Sequence, residues 1–367
     1  MPLMTSRARA AVYPAPNRPF EIREFPLRDV AEGELLVRVS MSSICRSDIH
    51  SWQGKRPNPC PGLLGHEIIG RIEQQGSSVS HDLRGKPLAV GDRITWTEFF
   101  HAGTDYYDVI HNLPQKAFGL HKYGHESADM QPHFLGGFAE YCYVMPGTGI
   151  LKLSDQLTDE EAVPLNCAAA TMASVCEASQ IGLGDTVVIQ GLGLLGIYGA
   201  AMARARGATR VIGIDTVATR LETARHFGAT NSLNAAELSE QDLIEVVREQ
   251  TGPDGADVVL EVCGNAKVIP AGIQMLRRGG RYTTAGLVSP GANVTFDANL
   301  LVQRLVTLRG IHNYHPRHLL QAHDFVLSAR ERFPFGDLIE ARFPLEQIND
   351  AFQQAAERIV LRACVTP

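Results

Sequence analysis

Two short strings of this sequence carry the side-chain types that proteins use to bind a metal ion. One runs from Cys45 to His50 and the other is Gly65-His66-Glu67. A thiolate and a neutral imidazole are both good ligands for zinc. His66 follows Cys45 by 21 positions, and that spacing alone neither pairs the two residues nor assigns a further ligand. A lone cysteine is most often a small buried hydrophobic residue, and that is our prediction for Cys60, Cys142, Cys176, Cys263 and Cys364.

A glycine-rich turn follows the predicted strand Thr186–Gln190 and opens a predicted helix over Leu194–Arg206. Its G-x-G-x-x-G spacing in this strand-to-helix context is typical of dinucleotide binding. The first glycine makes a tight turn, the second lets the backbone approach a pyrophosphate, and the third lets helix and strand pack closely. The helix N-terminus then faces the phosphate charge. The residues predicted to bind the cofactor here are Gly191, Gly193, Leu194, Leu195 and Gly196.

An aspartate, Asp215, ends the next predicted strand, Arg210–Asp215. A carboxylate at this point can accept hydrogen bonds from both hydroxyls of the adenosine ribose, and its charge repels a 2′-phosphate. The spacing from the glycine turn therefore favours NAD over NADP. The alternative is that Asp215 only caps the helix that follows it.

The elements that position these residues differ between the two parts of the chain. The first part is predicted to be rich in strands, which are Glu34–Ser40, Glu67–Glu73, Gly91–Thr95 and Phe138–Val144. An alanine-rich helical stretch over Asp159–Glu177 follows them. Further strands then alternate with helices, and they are Ala256–Val262, Gly280–Ala285 and a last strand over Ile359–Val365, with a helix at Ala218–Phe227. This alternation implies βαβ units and a parallel sheet with helices on both faces.

Size and composition agree with an ordinary globular protein. A chain of 367 residues exceeds what one core usually serves, so two domains are expected. Hydrophobic residues make up 44% and charged residues 20%. The net charge of -6 is spread along the chain without a block of like charge, which disfavours nucleic acid and anionic membranes as partners.

No targeting or membrane signal stands out. The N-terminal segment Met1–Phe20 lacks the apolar core of a signal peptide. The apolar stretch Val187–Ala203 is explained better by the dinucleotide turn, whose glycines lie within it. Seven cysteines form an odd set without regular spacing, so a disulfide framework is not expected and a reducing cytoplasm is the simplest location.

Taken in order, the cysteine string, the Gly-His-Glu string, Cys167 and the glycine turn resemble the zinc alcohol dehydrogenases of the medium-chain dehydrogenase/reductase family. The resemblance extends over essentially the whole chain. It implies an α/β protein with a GroES-like, β-rich catalytic domain built from residues 1–170 and 310–367. A Rossmann domain with a doubly wound parallel sheet, residues 171–309, is inserted between them.

The same resemblance implies roles for individual residues. Cys45, His66 and Cys167 would be the protein ligands of a catalytic zinc ion, with the fourth position left open. Glu67 resembles the neighbouring carboxylate that approaches the metal when water or substrate leaves. Asp48 resembles the partner that orients His66.

The implied reaction is the NAD-linked oxidation of an alcohol, or carbonyl reduction in reverse. Zinc stabilises the alkoxide, which gives a hydride to the nicotinamide. Ser47 and His50 resemble the family's proton relay, the hydroxyl first and the imidazole second. Weaker matches are Arg46 and Arg362 at the pyrophosphate, Thr171 at the nicotinamide and Arg220 at the adenosine ribose. The alternative for each arginine is a solvated side chain without a ligand.

One lobe departs from the family pattern. Family members carry a second, structural zinc on four closely spaced cysteines, and the aligned positions here are Ala102, Asp105, Asp108 and Ala117. The lobe contains no cysteine, so we expect one zinc per chain. A replacement site would need His101, Asp105, Asp108 and His111, whose spacing matches no tetrahedral pattern. We expect aromatic packing to hold the lobe instead, by Phe99, Phe100, Tyr106, Tyr107 and Phe118.

The substrate is the least determined feature. The segments 112–116, 122–126 and 311–317 resemble those of a subgroup of phosphonate-associated alcohol dehydrogenases, a branch that also includes dehydrogenases of cyclic terpenoid alcohols. Five basic residues could clamp a phosphonate, although each is as easily an ordinary surface charge: Lys55, Arg56, Lys116, Lys122 and Arg317. Trp52 and Trp96 are expected to wall the pocket, which suits an apolar alcohol equally.

Three functions are therefore compared. The first is a zinc alcohol dehydrogenase whose small-molecule substrate is a hydroxyalkylphosphonate, a cyclic terpenoid alcohol or a polyol. The second is a zinc-free NADPH reductase, which the presence of the metal-binding residues disfavours. The third is a non-catalytic NAD-binding sensor, in which a proton relay beside a metal triad would have no purpose. Since family members form dimers or tetramers, a homodimer or homotetramer is expected.

Overall fold

The structure, a computed structural model, describes residues 6–252 and 254–367. These residues form two compact units. Unit 1 contains the described residues up to Ala170, with His315–Ser328 and Phe335–Pro367, and unit 2 contains those of Thr171–Tyr314, with Ala329–Pro334. The sequence-based domain limits, with the return at residue 310, stay a prediction. In the structure, residues 310–314 and 329–334 belong to unit 2. Residues 1–5 of the N-terminal segment lie outside the described residues.

The strands are, in chain order, β1 (Arg7–Tyr13), β2 (Glu21–Pro26), β3 (Leu35–Ser43), β4 (Gly62–Leu63), β5 (Glu67–Gln75), β6 (Arg93–Trp96), β7 (Phe99–Phe100), β8 (His121–Lys122), β9 (Tyr141–Val144), β10 (Ile150–Lys152), β11 (Thr186–Gln190), β12 (Arg210–Asp215), β13 (Asn231–Asn234), β14 (Ala256–Glu261), β15 (Leu276–Thr284), β16 (Thr307–Gly310), β17 (Ala341–Pro344) and β18 (Ala363–Thr366).

The α-helices are α1 (Arg46–Trp52), α2 (Tyr106–Val109), α3 (Asp159–Ala162), α4 (Ala170–Ala178), α5 (Leu194–Ala205), α6 (Ala218–His226), α7 (Glu240–Thr251), α8 (Ile269–Met275), α9 (Asn299–Arg304), α10 (Pro316–Ala329) and α11 (Ile348–Ala356). A π-helix covers Leu165–Ala169, and short 3-10 helices cover Pro114–Lys116, Ala266–Val268, Phe335–Leu338 and Leu345–Gln347.

Unit 1 is built around a seven-stranded sheet in which β3 is central. Its strands run in the order β10-β6-β5-β3-β18-β17, and β9 also pairs with β3. β3 pairs antiparallel with β5, β9 and β18, so a strand from the C-terminal part of the chain joins strands from the N-terminal part there. β3 ends two residues before Cys45 and β5 begins at Glu67, directly after His66. The pairing of Ser43 with Glu67 therefore brings the two metal-binding strings together.

Unit 2 is an open sheet of six parallel strands in the order β13-β12-β11-β14-β15-β16. Counted within the unit, this is the 3-2-1-4-5-6 order of the doubly wound dinucleotide-binding fold. The strand order reverses between β11 and β14, and a ligand crevice opens at the carboxyl ends of such strands. The predicted parallel sheet is confirmed, with β11 and β12 beginning and ending where the sequence predicts.

Helices cover both faces of this sheet. Successive side chains of a strand point to opposite faces. Val188 of β11 packs into a core cluster with Ile244 of α7 and Ile273 of α8. Its neighbour Ile189 lies against α5, where a Cβ added at Gly199 would be 3.6 Å from the Ile189 Cδ1. Because Gly199 has no side chain, α5 can approach β11 closely on that face.

The predicted helix over Asp159–Glu177 is divided into three pieces. Thr158 caps α3 and its hydroxyl accepts a hydrogen bond from the Glu161 N–H. Pro164 follows α3, and a proline has no N–H to donate to a preceding turn. The chain then forms the π-helix before α4 begins. The predicted last strand is also shorter, because Arg358 adopts a positive φ of 61° at the end of α11 and only Ala363–Thr366 pairs.

The prediction of buried cysteines is wrong for two of them. Cys142, Cys176 and Cys364 are buried, whereas Cys60 and Cys263 are exposed. Cys60 precedes Pro61 in a loop and Cys263 follows β14, where no apolar layer covers the chain. Among the described residues, no helix has both the length and the apolar character needed to cross a bilayer.

The glycine turn yields a prediction with a matched control. A Cβ at Gly196 would lie 1.9 Å from the carbonyl oxygen of Gly191, which is backbone and cannot move away cheaply. A Cβ at Gly193 would meet no described atom within 4 Å, and its φ of -65° suits any residue. Gly196→Ala should therefore lower the midpoint of thermal unfolding by about 5 °C or more. Gly193→Ala should leave the midpoint unchanged, and equal midpoints for both variants would contradict this packing argument.

Candidate metal and cofactor sites

Four potential metal ligands converge in unit 1. One ligand atom from each of Cys45, His66, Glu67 and Cys167 lies within 4.8 Å of the others. Cys45, His66 and Glu67 are buried, and Cys167 is partly exposed. This is the one such cluster of at least three His, Cys, Asp or Glu residues within residues 6–252 and 254–367. Two thiols and an imidazole are a donor set that fits a zinc ion.

The first ligand is held by the N-terminus of α1. Cys45 is the N-cap residue, and its N–H donates to the Asp48 carboxylate at 2.8 Å. The other carboxylate oxygen of Asp48 accepts from the Gly65 N–H at 3.1 Å and lies 3.1 Å from the His66 Nδ1. Since a carboxylate accepts, the Nδ1 carries the proton and the Nε2 keeps the lone pair that a metal needs. One buried carboxylate therefore orients two ligands.

The second ligand requires a glycine before it. Gly65 has a φ of +88°, and a Cβ there would lie 3.0 Å from the Phe138 backbone nitrogen. This left-handed turn directs the chain from β4 into β5, with His66 at the corner. Only glycine adopts this conformation without strain in so tight a space.

The last thiol lies on the π-helix. Cys167 is in its middle, and such wide turns occur often at functional sites. The side chain of its neighbour Asn166 donates from Nδ2 to the His66 carbonyl oxygen at 2.9 Å. This bond ties the π-helix to the His66 corner across 100 residues of sequence. The segments that carry Cys167 and His66 are thus held together by a side-chain-to-backbone hydrogen bond.

Glu67 and Arg362 form a buried ion pair behind the cluster. The Arg362 guanidinium lies 3.3 Å from the Glu67 Oε1 and donates to the Ile44 carbonyl oxygen at 2.6 Å. The Ser43 hydroxyl donates to the other Glu67 oxygen. Burial raises the pKa of the Glu67 carboxyl to about 7, against the opposing charge of Arg362. The predicted role of Arg362 at a pyrophosphate stays a prediction.

The two ligand thiols shift each other's pKa in opposite directions. The hydrogen bond from Cys167 lowers the pKa of Cys45, burial opposes this, and the charge of Arg362 lowers the pKa further. The Cys45 thiolate in turn raises the pKa of Cys167. A bound dication would remove this conflict, because a coordinating thiol is deprotonated outright.

The two predicted relay residues lie on α1 next to the cluster. The Ser47 hydroxyl is 3.4 Å from the His66 Nε2, which is the nitrogen that faces the ligand cluster. His50 is half-buried one turn further on. Burial lowers the pKa of the His50 imidazole, and the charges of Arg46 and Lys55 lower it further. The imidazole is therefore neutral near pH 7 and able to accept a proton.

The glycine turn of unit 2 is open at its phosphate-binding position. Gly193 caps α5 without a side-chain hydrogen bond, and a Cβ on it would meet no described atom within 4 Å. Gly191 has a φ of +101° and its Cβ would collide with Cys263 at 2.5 Å. The N–H groups at the start of α5 are thus left for an anion, which fits a dinucleotide pyrophosphate.

Asp215 is held in place both by the glycine turn and by the residues that lead into α6. One carboxylate oxygen accepts from the Leu192 N–H at 2.7 Å, and the other accepts from the N–H groups of Thr216 and Val217. Val217 is the N-cap of α6, so the carboxylate lies before the first turn of that helix. Arg220 reaches to within 4.0 Å of Asp215. Thr171 is half-buried at the start of α4 in the same unit.

The cysteine-free lobe is only partly packed as expected. Phe99 and Phe100 are buried, and the rings of Tyr107 and Phe118 are 5.1 Å apart. Tyr106 and Phe118 are nevertheless exposed, so the expectation of a fully packed aromatic lobe is wrong for these two. Asp105 caps α2, and the His101 Nδ1 accepts a hydrogen bond from the Gly103 N–H. The number of zinc ions per chain stays a prediction.

Side chains that sequence reasoning did not single out also face the cluster. The His125 ring stacks on the His66 ring with centroids 5.7 Å apart. Glu98 lies 3.8 Å from Lys122 in a pair that is largely buried. Trp96 is instead fully buried against Tyr123 in the β core, and Trp52 packs on Phe352. No motif marks Glu98, and His125 lies in the segment 122–126 without a predicted role, because both reach the metal cluster only through the fold.

Asp48 provides a direct test of the metal site. Asp48→Asn keeps the shape of the side chain but leaves one acceptor oxygen where two are used, so an amide NH2 must face an N–H donor. We expect zinc affinity, measured by competition with a chromogenic chelator, to fall by about 10- to 100-fold. The control is Asp82→Asn, since buried Asp82 caps a loop of the same unit through Arg84, Lys86 and Lys152. Equal zinc affinity in both variants would contradict the role of Asp48.

Comparison with known proteins matches both units to one family. Residues 31–155 match the family model for the alcohol dehydrogenase GroES-like domain, and residues 194–328 match that for the zinc-binding dehydrogenase. The chain is similar to 5-exo-hydroxycamphor dehydrogenase of Pseudomonas putida, with 31% identity over 94% of this chain and 95% of the relative.

Solved structures of the same family are similar to this chain over nearly its whole length. An alcohol dehydrogenase from Thermotoga maritima has a TM-score of 0.93 and 30% identity, covering 99% of this chain and 100% of the other. A protein of the zinc-binding dehydrogenase type from Sinorhizobium meliloti 1021, bound to NADP, has a TM-score of 0.86 and 25% identity over 99% and 100%. The GroES-like and Rossmann folds are thereby confirmed. The chain belongs to the zinc-binding medium-chain alcohol dehydrogenase family, whose members are oxidoreductases.

Proposed function

We propose that this protein is a zinc-dependent, NAD-linked alcohol dehydrogenase. The observation that carries the proposal is the convergence of Cys45, His66, Cys167 and Glu67 beside the Ser47 hydroxyl. Three protein ligands and an exposed side at Cys167 are the arrangement of a catalytic zinc site rather than a structural one. The cysteine-free lobe supports one zinc per chain.

The chemistry follows from the groups present. When bound, zinc supplies Lewis-acid stabilisation of the alcohol oxygen as it loses its proton. Cys45, His66 and Cys167 would hold the ion, with Glu67 as the neighbouring carboxylate. The Ser47 hydroxyl takes the proton from the substrate oxygen and passes it towards His50 and solvent. NAD, which the glycine turn and Asp215 would hold, would supply the hydride acceptor as the C–O bond of the alkoxide becomes a carbonyl.

The cofactor proposed is NAD. Asp215 is oriented by three backbone N–H groups at the end of β12, so its charge is fixed beside the glycine turn. Such a charge accepts from ribose hydroxyls and repels a 2′-phosphate. Arg220, 4.0 Å away, is partly neutralised by this carboxylate and is a weaker candidate for holding a phosphate. Arg46, Thr171 and Arg362 remain proposed cofactor contacts.

For the substrate, a hydroxyalkylphosphonate and a cyclic terpenoid alcohol or polyol are the two candidates. The relative named 5-exo-hydroxycamphor dehydrogenase supports a cyclic alcohol. The basic residues near the metal cluster support an anionic alcohol. A non-catalytic NAD-binding sensor is the alternative from another class, and the position of Ser47 against the metal cluster disfavours it.

A homodimer or homotetramer is the proposed assembly, in the cytoplasm. The edge strand β16 supports it, since every residue of that strand is exposed and one side of the strand lacks a neighbour among the described residues. Leu308 on this strand, and Val302 and Leu305 before it, are exposed apolar side chains. Such an edge pairs readily with a second strand. All seven cysteines are free, which agrees with a reducing compartment.

The function is tested by following NADH formation over a panel of hydroxyalkylphosphonates, polyols and cyclic alcohols, with and without a chelator. We expect activity that the chelator abolishes and zinc restores. Ser47→Ala should lower kcat by about 100-fold or more. The matched control is Ser51→Ala, on the same buried side of α1 but without a contact to His66. A zinc-loaded protein that binds NAD but oxidises no alcohol of the panel would support the sensor instead.

A further inference from the structure

The hairpin formed by β7 and β8 runs against the metal-binding corner of unit 1. Phe99 pairs with Lys122, and a Cβ at Gly124 would lie 2.8 Å from the backbone of Gly65. Because Gly65 precedes the ligand His66, this contact places the residues around Gly124 next to the metal cluster. Lys122 comes before this glycine and His125 comes directly after it.

Lys122 is largely buried although it is a lysine. Its side chain is 14% exposed, and its Nζ lies 3.8 Å from the Glu98 Oε1. Burial lowers the pKa of the Lys122 ammonium, Glu98 opposes this, and Arg56 lowers it further. The Tyr123 N–H donates to the Glu98 carbonyl oxygen at 3.1 Å, so backbone contacts hold Lys122 and Glu98 together where β7 and β8 pair.

His125 connects this hairpin to the loop after α1. Its Nδ1 lies 2.8 Å from the Asn58 Oδ1, and its ring stacks on His66. The Leu63 N–H donates to the Glu126 carbonyl oxygen at 3.1 Å, which ties the same two segments together by backbone. Arg56 lies two residues before Asn58 and is therefore held on the same side of the cluster.

Arg56 is the second cation of this wall. Its side chain is half-buried, and no described carboxylate lies within ion-pair distance of its guanidinium. The Arg56 N–H donates to the His50 carbonyl oxygen at 3.2 Å, which holds the loop after α1 against that helix. Arg56 is therefore on the same loop as Asn58, which contacts His125 beside the metal cluster.

Two like charges held beside a half-buried site repel each other, and an anion bound between them would offset that repulsion. Glu98 supplies one negative charge, which faces Lys122. Nothing among the described residues supplies a carboxylate for Arg56. Guanidinium and ammonium groups are the usual partners of carboxylate, phosphate and phosphonate oxygens.

We propose that Arg56 and Lys122 bind an oxyanion carried by the alcohol substrate, at the end remote from the reacting hydroxyl. This inference rests on the proposed function and deepens it, because it names the substrate class. Five basic residues were candidates for a clamp from the sequence, and the structure favours Arg56 and Lys122 among them. The anionic group is a carboxylate, a phosphate or a phosphonate.

The test compares alcohols of similar length with and without an anionic end. The substrates are 4-hydroxybutanoate, 3-hydroxypropyl phosphate, 3-hydroxypropylphosphonate and neutral 1-pentanol, assayed with the zinc-loaded protein and NAD. Lys122→Met and Arg56→Gln should each lower kcat/KM for the preferred anionic alcohol by about 10- to 100-fold. For 1-pentanol the change should stay within about threefold, since the metal ligands are intact. Lys86→Met, an exposed lysine elsewhere in unit 1, is the control.

A binding measurement separates this inference from the proposed function. Calorimetry with inorganic phosphate, methylphosphonate and propanoate is carried out on the zinc-loaded protein, with NAD saturating so that the glycine turn is occupied. We expect saturable binding of at least one probe that Arg56→Gln weakens by about tenfold or more. Oxidation of 1-pentanol equal to that of the anionic alcohols, with no effect of either variant, would overturn the inference and leave the proposed function intact. Anion binding without oxidation of any alcohol would overturn the proposed function instead. If Lys122→Met does not fold, Arg56→Gln decides alone.

Discussion

Unit 1 depends on the burial of several acidic groups around one histidine. Cys45, Asp48 and Glu67 are buried and Cys167 is partly so, all within reach of His66. A buried charge is costly unless a hydrogen bond or an opposite charge compensates it. Asp48 receives backbone N–H groups and Glu67 faces Arg362, whereas the two thiols have mainly each other. A dication is the partner that would relieve this, so we expect metal binding to stabilise unit 1.

The local features of the fold serve this arrangement. The N-cap at Cys45, the left-handed Gly65 and the π-helix at Cys167 are each unusual for a chain segment taken alone. Together they bring side chains from distant parts of the sequence to one point. Unit 1 buries acidic groups, whereas unit 2 leaves N–H groups at the start of α5 available for a ligand. One carboxylate, Asp215, is fixed beside them. An anion and a pair of hydroxyls are the ligands that satisfy such groups.

The sequence predicts unit 2 well because its signals are local. Continuous apolar runs ended by glycine or aspartate mark β11 and β12, and their bounds in the structure agree. The metal-binding residues were also recognisable, since Cys45 and His66 sit in distinctive strings. The partners that complete the site were not, because Asn166 meets His66 across 100 residues and Glu98 and His125 act only through the fold.

The sequence-based errors have the same origin. Cys60 and Cys263 are exposed, and whether a cysteine is covered depends on which element packs over it. Trp96 was expected to wall the substrate pocket, but it packs on Tyr123 in the β core, because tertiary packing decides its position. Among the basic residues, burial and the neighbours of Lys122 distinguish it from the others, and burial is a tertiary property. The sequence alone therefore does not distinguish Lys122 from the other basic residues.

The most direct test is the zinc content of the purified protein. Zinc is measured by inductively coupled plasma mass spectrometry and expressed as ions per chain. The account predicts one zinc ion per chain in the wild type and almost none in a Cys45→Ser, Cys167→Ser double variant. Two tightly bound zinc ions per chain, or one that survives the loss of both thiols, would contradict it.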